Sequence, residues 1–226
     1  MLFAFDCDGV LVDSEVIASQ VDAELLTEAG YEITAEDVSR RFAGLRSVAI
    51  HDQVEAELGR ALPQNFLQRQ HDELDRRLAR DLKAVPGVHE MLDRIDGPRC
   101  VCSNSTNERL KLSLDKTNLW DRFRPYIFSA VEVGDRQPKP SPNVYLFAAA
   151  QFGVDPREML VIEDSIFGVT AAKMAGARVI GFVGGRHSWP GHADLLTEAG
   201  AETVIRRWAD LPAVAEALMA WEGLSE

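Results

Sequence analysis

Leu2-Phe3-Ala4-Phe5-Asp6-Cys7-Asp8-Gly9-Val10-Leu11-Val12-Asp13-Ser14 is the stretch on which the fold turns. A short apolar run ends on two carboxylates one residue apart, followed by a glycine. Such a run predicts a buried parallel strand over about residues 2–6. In open α/β sheets chemistry gathers at the carboxyl ends of the strands, which is where Asp6 and Asp8 stand. Two like charges this close repel unless something positive lies beside them. A hard divalent cation with oxygen ligands, most often magnesium, answers that need.

Downstream the pattern changes twice. From Glu15 to about Lys83 it is helical and polar. Val16, Ile17, Val21, Leu25 and Leu26 form one apolar side before Gly30, a C-terminal stop. Thr34 is placed to cap a second helix with Glu36 and Asp37 in its first turn. Gly44 precedes a third helix, and a charged fourth runs from about Pro63 to Leu82. After Pro86-Gly87, strands and helices alternate. Helices are expected at Val88–Ile95, Asn107–Lys116, Ser141–Phe152, Ile166–Ala175 and Ala213–Trp221. Strands are expected at Arg99–Cys102, Tyr126–Phe128, Met159–Ile162, Arg178–Val183 and Thr203–Ile205. This rhythm predicts an α/β doubly wound parallel sheet with an all-helical domain inserted after its first strand. The core is assigned to residues 1–14 and 85–226, and the insertion to residues 15–84.

The 226 residues, 46% hydrophobic and 27% charged, have the composition of a globular chain large enough for a sizeable core. A net charge of −12 argues against nucleic acid and anionic membranes as partners. No apolar run approaches a membrane span, and the N-terminus lacks a signal-peptide pattern. Cys7, Cys100 and Cys102 have no zinc spacing, and they read as buried thiols in a reducing compartment. The expected location is cytoplasmic.

Three further segments carry chemistry, each at a strand end or helix start. Val101-Cys102-Ser103-Asn104-Ser105 closes a strand on a hydroxyl, a natural phosphate ligand beside free backbone N–H groups. Lys139 lies between Pro138 and Pro140 just before a helix, where an ammonium is rigidly presented. Glu163-Asp164-Ser165 puts adjacent acids after a buried strand. With Asp6-Cys7-Asp8-Gly9-Val10-Leu11-Val12-Asp13-Ser14, these segments resemble, in order, the four motifs of the haloacid dehalogenase-like (HAD) hydrolases. The resemblance spans essentially the whole core.

It implies phosphoryl transfer. Asp6 would be the nucleophile, forming an aspartyl-phosphate, and Asp8 the general acid and base. Mg2+ would be held by Asp6, the Asp8 carbonyl and Asp164, with Glu163 ligating directly or through water. Ser103, the backbone around Asn104, and Lys139 would hold phosphate, and the insertion would be a cap of the first-site type. The implied partner is a small phosphorylated substrate, and the oligomeric state stays open.

Asp8 favours phosphate chemistry over dehalogenation, whose halide needs no proton. Phosphonatases of this cap class use a cap lysine, and none occurs between Met1 and Leu82. The hardest rival is β-phosphoglucomutase, whose cap histidine aligns with Ala18 here. Val-Cys-Ser-Asn-Ser-Thr-Asn and Lys-Pro-Ser-Pro look most like the bacterial sugar-phosphate phosphatase branch that includes 6-phosphogluconate phosphatase. A HAD-fold binding protein without turnover would be expected to lose a nucleophile, acid or metal ligand, and none is lost. Arg46 is either a cap contact to substrate or an exposed arginine starting a helix. His187 and His192 match no common metal spacing and read as part of an ordered loop near the site entrance.

Overall fold

The computed structural model describes residues 1–222. Strand β1 (Leu2–Phe5) is followed by helices α1 (Ser14–Glu28), α2 (Ala35–Arg41), α3 (Ser47–Leu58) and α4 (Phe66–Asp81). Alternation then begins with α5 (Val88–Leu92), β2 (Arg99–Ser103), α6 (Asn107–Lys116), α7 (Trp120–Phe123) and β3 (Ile127–Ser129). It continues through α8 (Asn143–Phe152), β4 (Met159–Glu163), α9 (Ile166–Ala175) and β5 (Arg178–Phe182), then α10 (His192–Glu198), β6 (Thr203–Ile205) and α11 (Leu211–Glu222). All sheet pairings are parallel, in the order β3-β2-β1-β4-β5-β6. β1 and β4 are therefore central neighbours, and their C-terminal ends bring Asp6 alongside Asp164.

Alternation along each strand divides the core into two layers. Phe3, Phe5, Val101, Leu160 and Ile162 join one cluster with Trp208, Phe123 and Leu92. Leu2, Ala4, Cys100, Cys102, Met159 and Val161 join the other with Tyr145, Val144 and Val169. Both sheet faces are covered, which is why the strands read as continuous apolar runs. The cysteines are buried and unpaired, with Sγ of Cys100 and Cys102 3.8 Å apart on one face.

The insertion has its own cluster, built from residues between Val21 and Phe66. Its two connections run side by side. Asp13 N donates to Lys83 O (3.0 Å) and Val85 N to Leu11 O (3.0 Å), around an antiparallel bridge between Val12 and Ala84. Thr34 caps α2 as expected, accepting from Asp37 N at 3.1 Å. Gly30 follows α1 at φ +88°.

Some boundaries differ from expectation. α4 starts at Phe66 because Phe66 N closes a turn onto Pro63 O. α5 ends at Leu92, short of Ile95. α8 starts at Asn143 and is capped by Pro142, while Ser141 Oγ accepts from Asn143 N at 3.3 Å. α7 and α10 were not expected, and the loop read from His187 to His192 ends by opening α10. Among the described residues no helix is long and apolar enough to cross a membrane.

Candidate active site

After β1 the chain turns tightly. Leu11 N and Val12 N both donate to Cys7 O, and Gly9 N donates to Val12 O at 2.8 Å. Gly9 adopts φ +78°, and a Cβ there would lie 2.0 Å from Asp164 Oδ2 and 2.8 Å from the His187 ring. Only glycine meets both demands. The turn brings Asp8 back toward the sheet end beside Asp6.

Asp6 and Asp8 are held in different ways. Asp6 Oδ1 accepts from Lys139 Nζ at 2.6 Å. Its Oδ2 has no hydrogen-bond partner among the described residues, and the side chain keeps 10% exposure. Burial pushes the Asp6 carboxyl well above its ordinary range. Lys139 opposes that, while Glu163, Asp164 and Asp8 add to it. The Asp8 carboxylate accepts three hydroxyls: Ser14 on Oδ1 (2.8 Å), and Ser103 (3.2 Å) and Ser105 (2.8 Å) on Oδ2.

Lys139 is buried, and its ammonium makes three contacts: Asp6 at 2.6 Å, Glu163 Oε1 at 2.6 Å and the Cys102 carbonyl at 2.7 Å. Burial alone would push the ammonium down, but the two carboxylates outweigh it and hold it well above the usual lysine range. The Asn104 side chain clamps the Lys139 backbone, accepting from its N–H at 2.8 Å and donating to its carbonyl at 3.4 Å. Asn104 can thus offer phosphate its backbone but not its amide.

Glu163, expected among the metal ligands, is turned inward. Its Oε1 accepts from Lys139 and from Tyr145 OH (2.9 Å). Its Oε2 accepts from Asp164 N (3.1 Å), Ser165 N (3.1 Å) and Ser165 Oγ (3.0 Å). Five donors fill the two oxygens, so this side chain anchors Lys139 and has no oxygen free for a cation. Gly168 makes room for it, since a Cβ there would fall 1.8 Å from Glu163 Oε1.

Asp164 Oδ2 lies 2.9 Å from His187 Nε2, and its carbonyl lies 2.7 Å from His192 Nε2. Burial pulls His187 down, but Asp164, with Glu15 and Asp13 behind it, leaves it raised. Burial lowers His192. The two rings meet edge to face at 5.9 Å, and both histidines serve Asp164. Asp13 is buried against Arg186, which ties the loop after β5 to the insertion's first connection.

Among the described residues no three His, Cys, Asp or Glu side chains stand together as a ready metal cluster. The donor set nevertheless suits Mg2+, which is characteristically held by one or two carboxylates while keeping several waters. Asp6 and Asp164 are hard donors just past the ends of adjacent strands, and Glu163, Asp164 and Asp8 add negative charge around Asp6 that Lys139 opposes.

The insertion reaches the site through its loop before α3. A Cβ on Gly44 would lie 2.7 Å from the Phe167 ring and 3.5 Å from Ser165 Cβ. Arg46, at the N-cap of α3, is exposed, and its side chain makes no hydrogen bond or ion pair among the described residues. Sequence reasoning gave no role to Ser14, Ser105, Tyr145 and Gly168, and no link from His187 to Asp164. Ser14 and Ser105 lay inside quoted motifs, whereas Tyr145 and Gly168 carry no local signal.

Residues 3–182 match the family model for haloacid dehalogenase-like hydrolases. The chain is 32% identical over 187 residues to 6-phosphogluconate phosphatase of Escherichia coli K12, covering 82% of this chain and 84% of that protein. A haloacid dehalogenase-like protein of unknown function from Agrobacterium tumefaciens C58 superposes with a TM-score of 0.92 at 51% identity, covering 96% of this chain and 98% of that one. A HAD family hydrolase from Deinococcus radiodurans R1, solved with bound phosphate and sodium, superposes at 0.81 with 32% identity, covering 96% and 95%. With the paired aspartates at the end of β1, Lys139 beside them, Asp164 on the adjacent strand and a family match over most of its length, the chain belongs to the haloacid dehalogenase-like hydrolases.

Proposed function

We propose that the chain is a phosphatase of small phosphorylated sugar metabolites and works through an aspartyl-phosphate on Asp6. The observation that carries this reading is the asymmetric holding of Asp6. Lys139 fixes one oxygen, and the other is free to attack. In the first step Asp6 Oδ2 bonds to phosphorus as the bond to the leaving oxygen breaks, and Asp8 gives that oxygen its proton. In the second, Asp8 takes a proton from water as the water oxygen displaces Asp6 and frees phosphate. The three hydroxyls around Asp8 give it donors in its ionised form and a fixed direction in both. Lys139, Ser103 and the backbone N–H groups beyond it offset charge on the phosphoryl oxygens.

Asp6, the Asp8 carbonyl and Asp164 would hold Mg2+, and when bound the ion supplies positive charge against the phosphoryl oxygens. The phosphate and sodium in the Deinococcus relative support anion and cation sites of this kind. The insertion, residues 15–84, acts as a cap over the core of residues 1–14 and 85–226, excluding water when closed. Its closeness to the core at Gly44 supports that role. Sugar phosphates are favoured by the likeness to 6-phosphogluconate phosphatase. The mutase alternative lacks its cap histidine, since α1 contains none and carries alanine at position 18.

The test is phosphate release from a panel of phosphorylated metabolites, with magnesium and with chelator. Release is expected only with the cation. Asp6→Asn should lower turnover at least about a thousandfold, with unchanged circular dichroism. Retained turnover in that variant, or conversion of β-glucose 1-phosphate to glucose 6-phosphate without net release, would overturn the reading.

A further inference from the structure

The loop after β5 sends two histidines to one acid. His192 Nε2 lies 2.7 Å from the Asp164 carbonyl, and His187 Nε2 lies 2.9 Å from Asp164 Oδ2. Both Asp164 atoms are acceptors, so each Nε2 is the donor. The two contacts hold different things. His192 fixes the backbone of Asp164, while Ser188 Oγ donates to its Nδ1 at 3.2 Å and Trp189 stacks on its ring at 4.2 Å. His187 fixes the carboxylate. Asp164 Oδ1 has no hydrogen-bond partner among the described residues, so one oxygen is held and one is open, as at Asp6.

The chain is built closely around the His187 ring. The His187 and Asp164 side chains each keep only 7% exposure. Two glycines flank the imidazole: a Cβ on Gly9 would fall 2.8 Å from its Cε1, and a Cβ on Gly185 would fall 2.6 Å from its Nδ1. Arg186 is tied to Asp13 through its backbone N–H at 3.3 Å and through its Nε, and Ser188 N closes a turn onto Gly185 O at 3.1 Å. The backbone on both sides of His187 is thus pinned. Yet His187 Nδ1 is buried with no hydrogen-bond partner among the described residues. A ring kept for packing alone would be better without nitrogens, since an unpaired buried polar atom costs stability. What this imidazole offers that a hydrocarbon would not is its one bond to Asp164.

We propose that His187 is a positioning residue for the cation site, its Nε2–H fixing Asp164 Oδ2 and leaving Oδ1 as the oxygen offered to Mg2+. A group that hydrogen-bonds a ligating carboxylate sets its direction, and losing such a group typically costs about 10–100-fold in metal affinity or activity. Without the His187 bond the Asp164 carboxylate can turn about its side-chain torsions, and its orientation is lost before any substrate arrives. Glu163 cannot stand in for it, because its oxygens are filled by five donors. The inference rests on the phosphatase reading, in which Asp6 and Asp164 hold Mg2+, and adds to it a residue outside the four motifs.

Mn2+ takes the same oxygen donors as Mg2+ and is visible by electron paramagnetic resonance, so its binding to the substrate-free protein reads the site without turnover. His187→Ala should weaken Mn2+ binding about tenfold or more. Two further variants separate the hydrogen bond from the packing. His187→Gln keeps an N–H donor without the ring and should stay within about threefold of wild type, whereas His187→Phe keeps a ring without the donor and should bind as weakly as His187→Ala. In turnover, the Mg2+ concentration for half-maximal rate should rise in the same order, while KM for the phosphate ester at saturating Mg2+ stays within about twofold. Urea unfolding of the metal-free variants checks that each is folded, and if His187→Ala is not, the Gln–Phe comparison decides. Unchanged or tighter Mn2+ binding in a folded His187→Ala, or the reverse order with His187→Phe near wild type and His187→Gln weak, would overturn the positioning role and leave the phosphatase intact. If the wild-type protein binds no Mn2+, the cation site fails and takes the positioning role with it.

Discussion

Lys139 and Glu163 show how far one side chain's position depends on others. The ammonium reaches Asp6 because Glu163 and the Cys102 carbonyl occupy its other contacts, and Glu163 stays put because five donors face it. Breaking a buried charge pair by removing one partner costs about 3–5 kcal/mol. Glu163→Gln also turns an amide N–H2 toward groups that are themselves donors. We expect it to lose stability of that order in urea unfolding, and to lower kcat about a hundredfold as Lys139 loses its anchor. Tyr145→Phe removes one hydroxyl and should cost about 1 kcal/mol. Equal effects from the two variants would contradict the anchor role. The motif residues Asp6, Asp8, Lys139 and Asp164 were legible in sequence because each sits at a strand end or beside prolines. The inward turn of Glu163 was not, because its causes, Tyr145 and Gly168, lie on α8 and α9, where nothing local marks them.

Elements were legible to the degree that their patterns are strong. The parallel strands are short apolar runs ending in polar residues, and all were expected within a residue or two. α7 has only four residues, too few for a helical period to show. α10 starts at His192 with no side-chain cap, after a loop rich in Gly, Ser and Pro. Within the insertion, α1 and α4 share a buried polar contact that no pattern announces, in which Gln70 donates to Asp22. Burial raises the Asp22 carboxyl to about 6, with Gln70 pulling the other way. The folded state thus holds this proton more tightly than the unfolded chain. Stability falls as pH rises from about 4 to about 6 and stays lower above that window. The loss is on the order of 2–3 kcal/mol. Asp22→Asn keeps an acceptor for Gln70 without the charge. It should flatten this part of the pH–stability curve and raise the melting temperature at pH 7, as thermal unfolding at pH 4, 5, 6 and 7 would reveal.

For the molecule as a whole, the core and the insertion meet at the hydrogen-bonded connections and again across the site. The second meeting is close at Gly44, where φ is +73° and the Phe167 ring is the nearest neighbour. If the insertion closes as proposed, Gly44→Val should hold it off the core and raise KM about tenfold, with a loss of stability of only about 1–2 kcal/mol from the backbone. Gly59→Val is the matched control, since φ is +65° there with nothing within 4 Å. Similar KM values for the two variants would show that Gly44 has no part in closure.

The strand order has a consequence in time as well as space. β1 is made first, yet its neighbours β2 and β4 end at Ser103 and Glu163. A chain emerging from the ribosome therefore carries Leu2–Phe5 without its first partner until β2 is made, and with its other edge uncovered until β4 is made. The helices of the insertion can form meanwhile from local contacts alone, whereas β1 must wait for partners far along the chain. Asp6 thus acquires its full setting only when the strand carrying Glu163 closes against β1. The centre can assemble only once the chain has been made as far as Asp164, more than 150 residues beyond the carboxylates that follow β1.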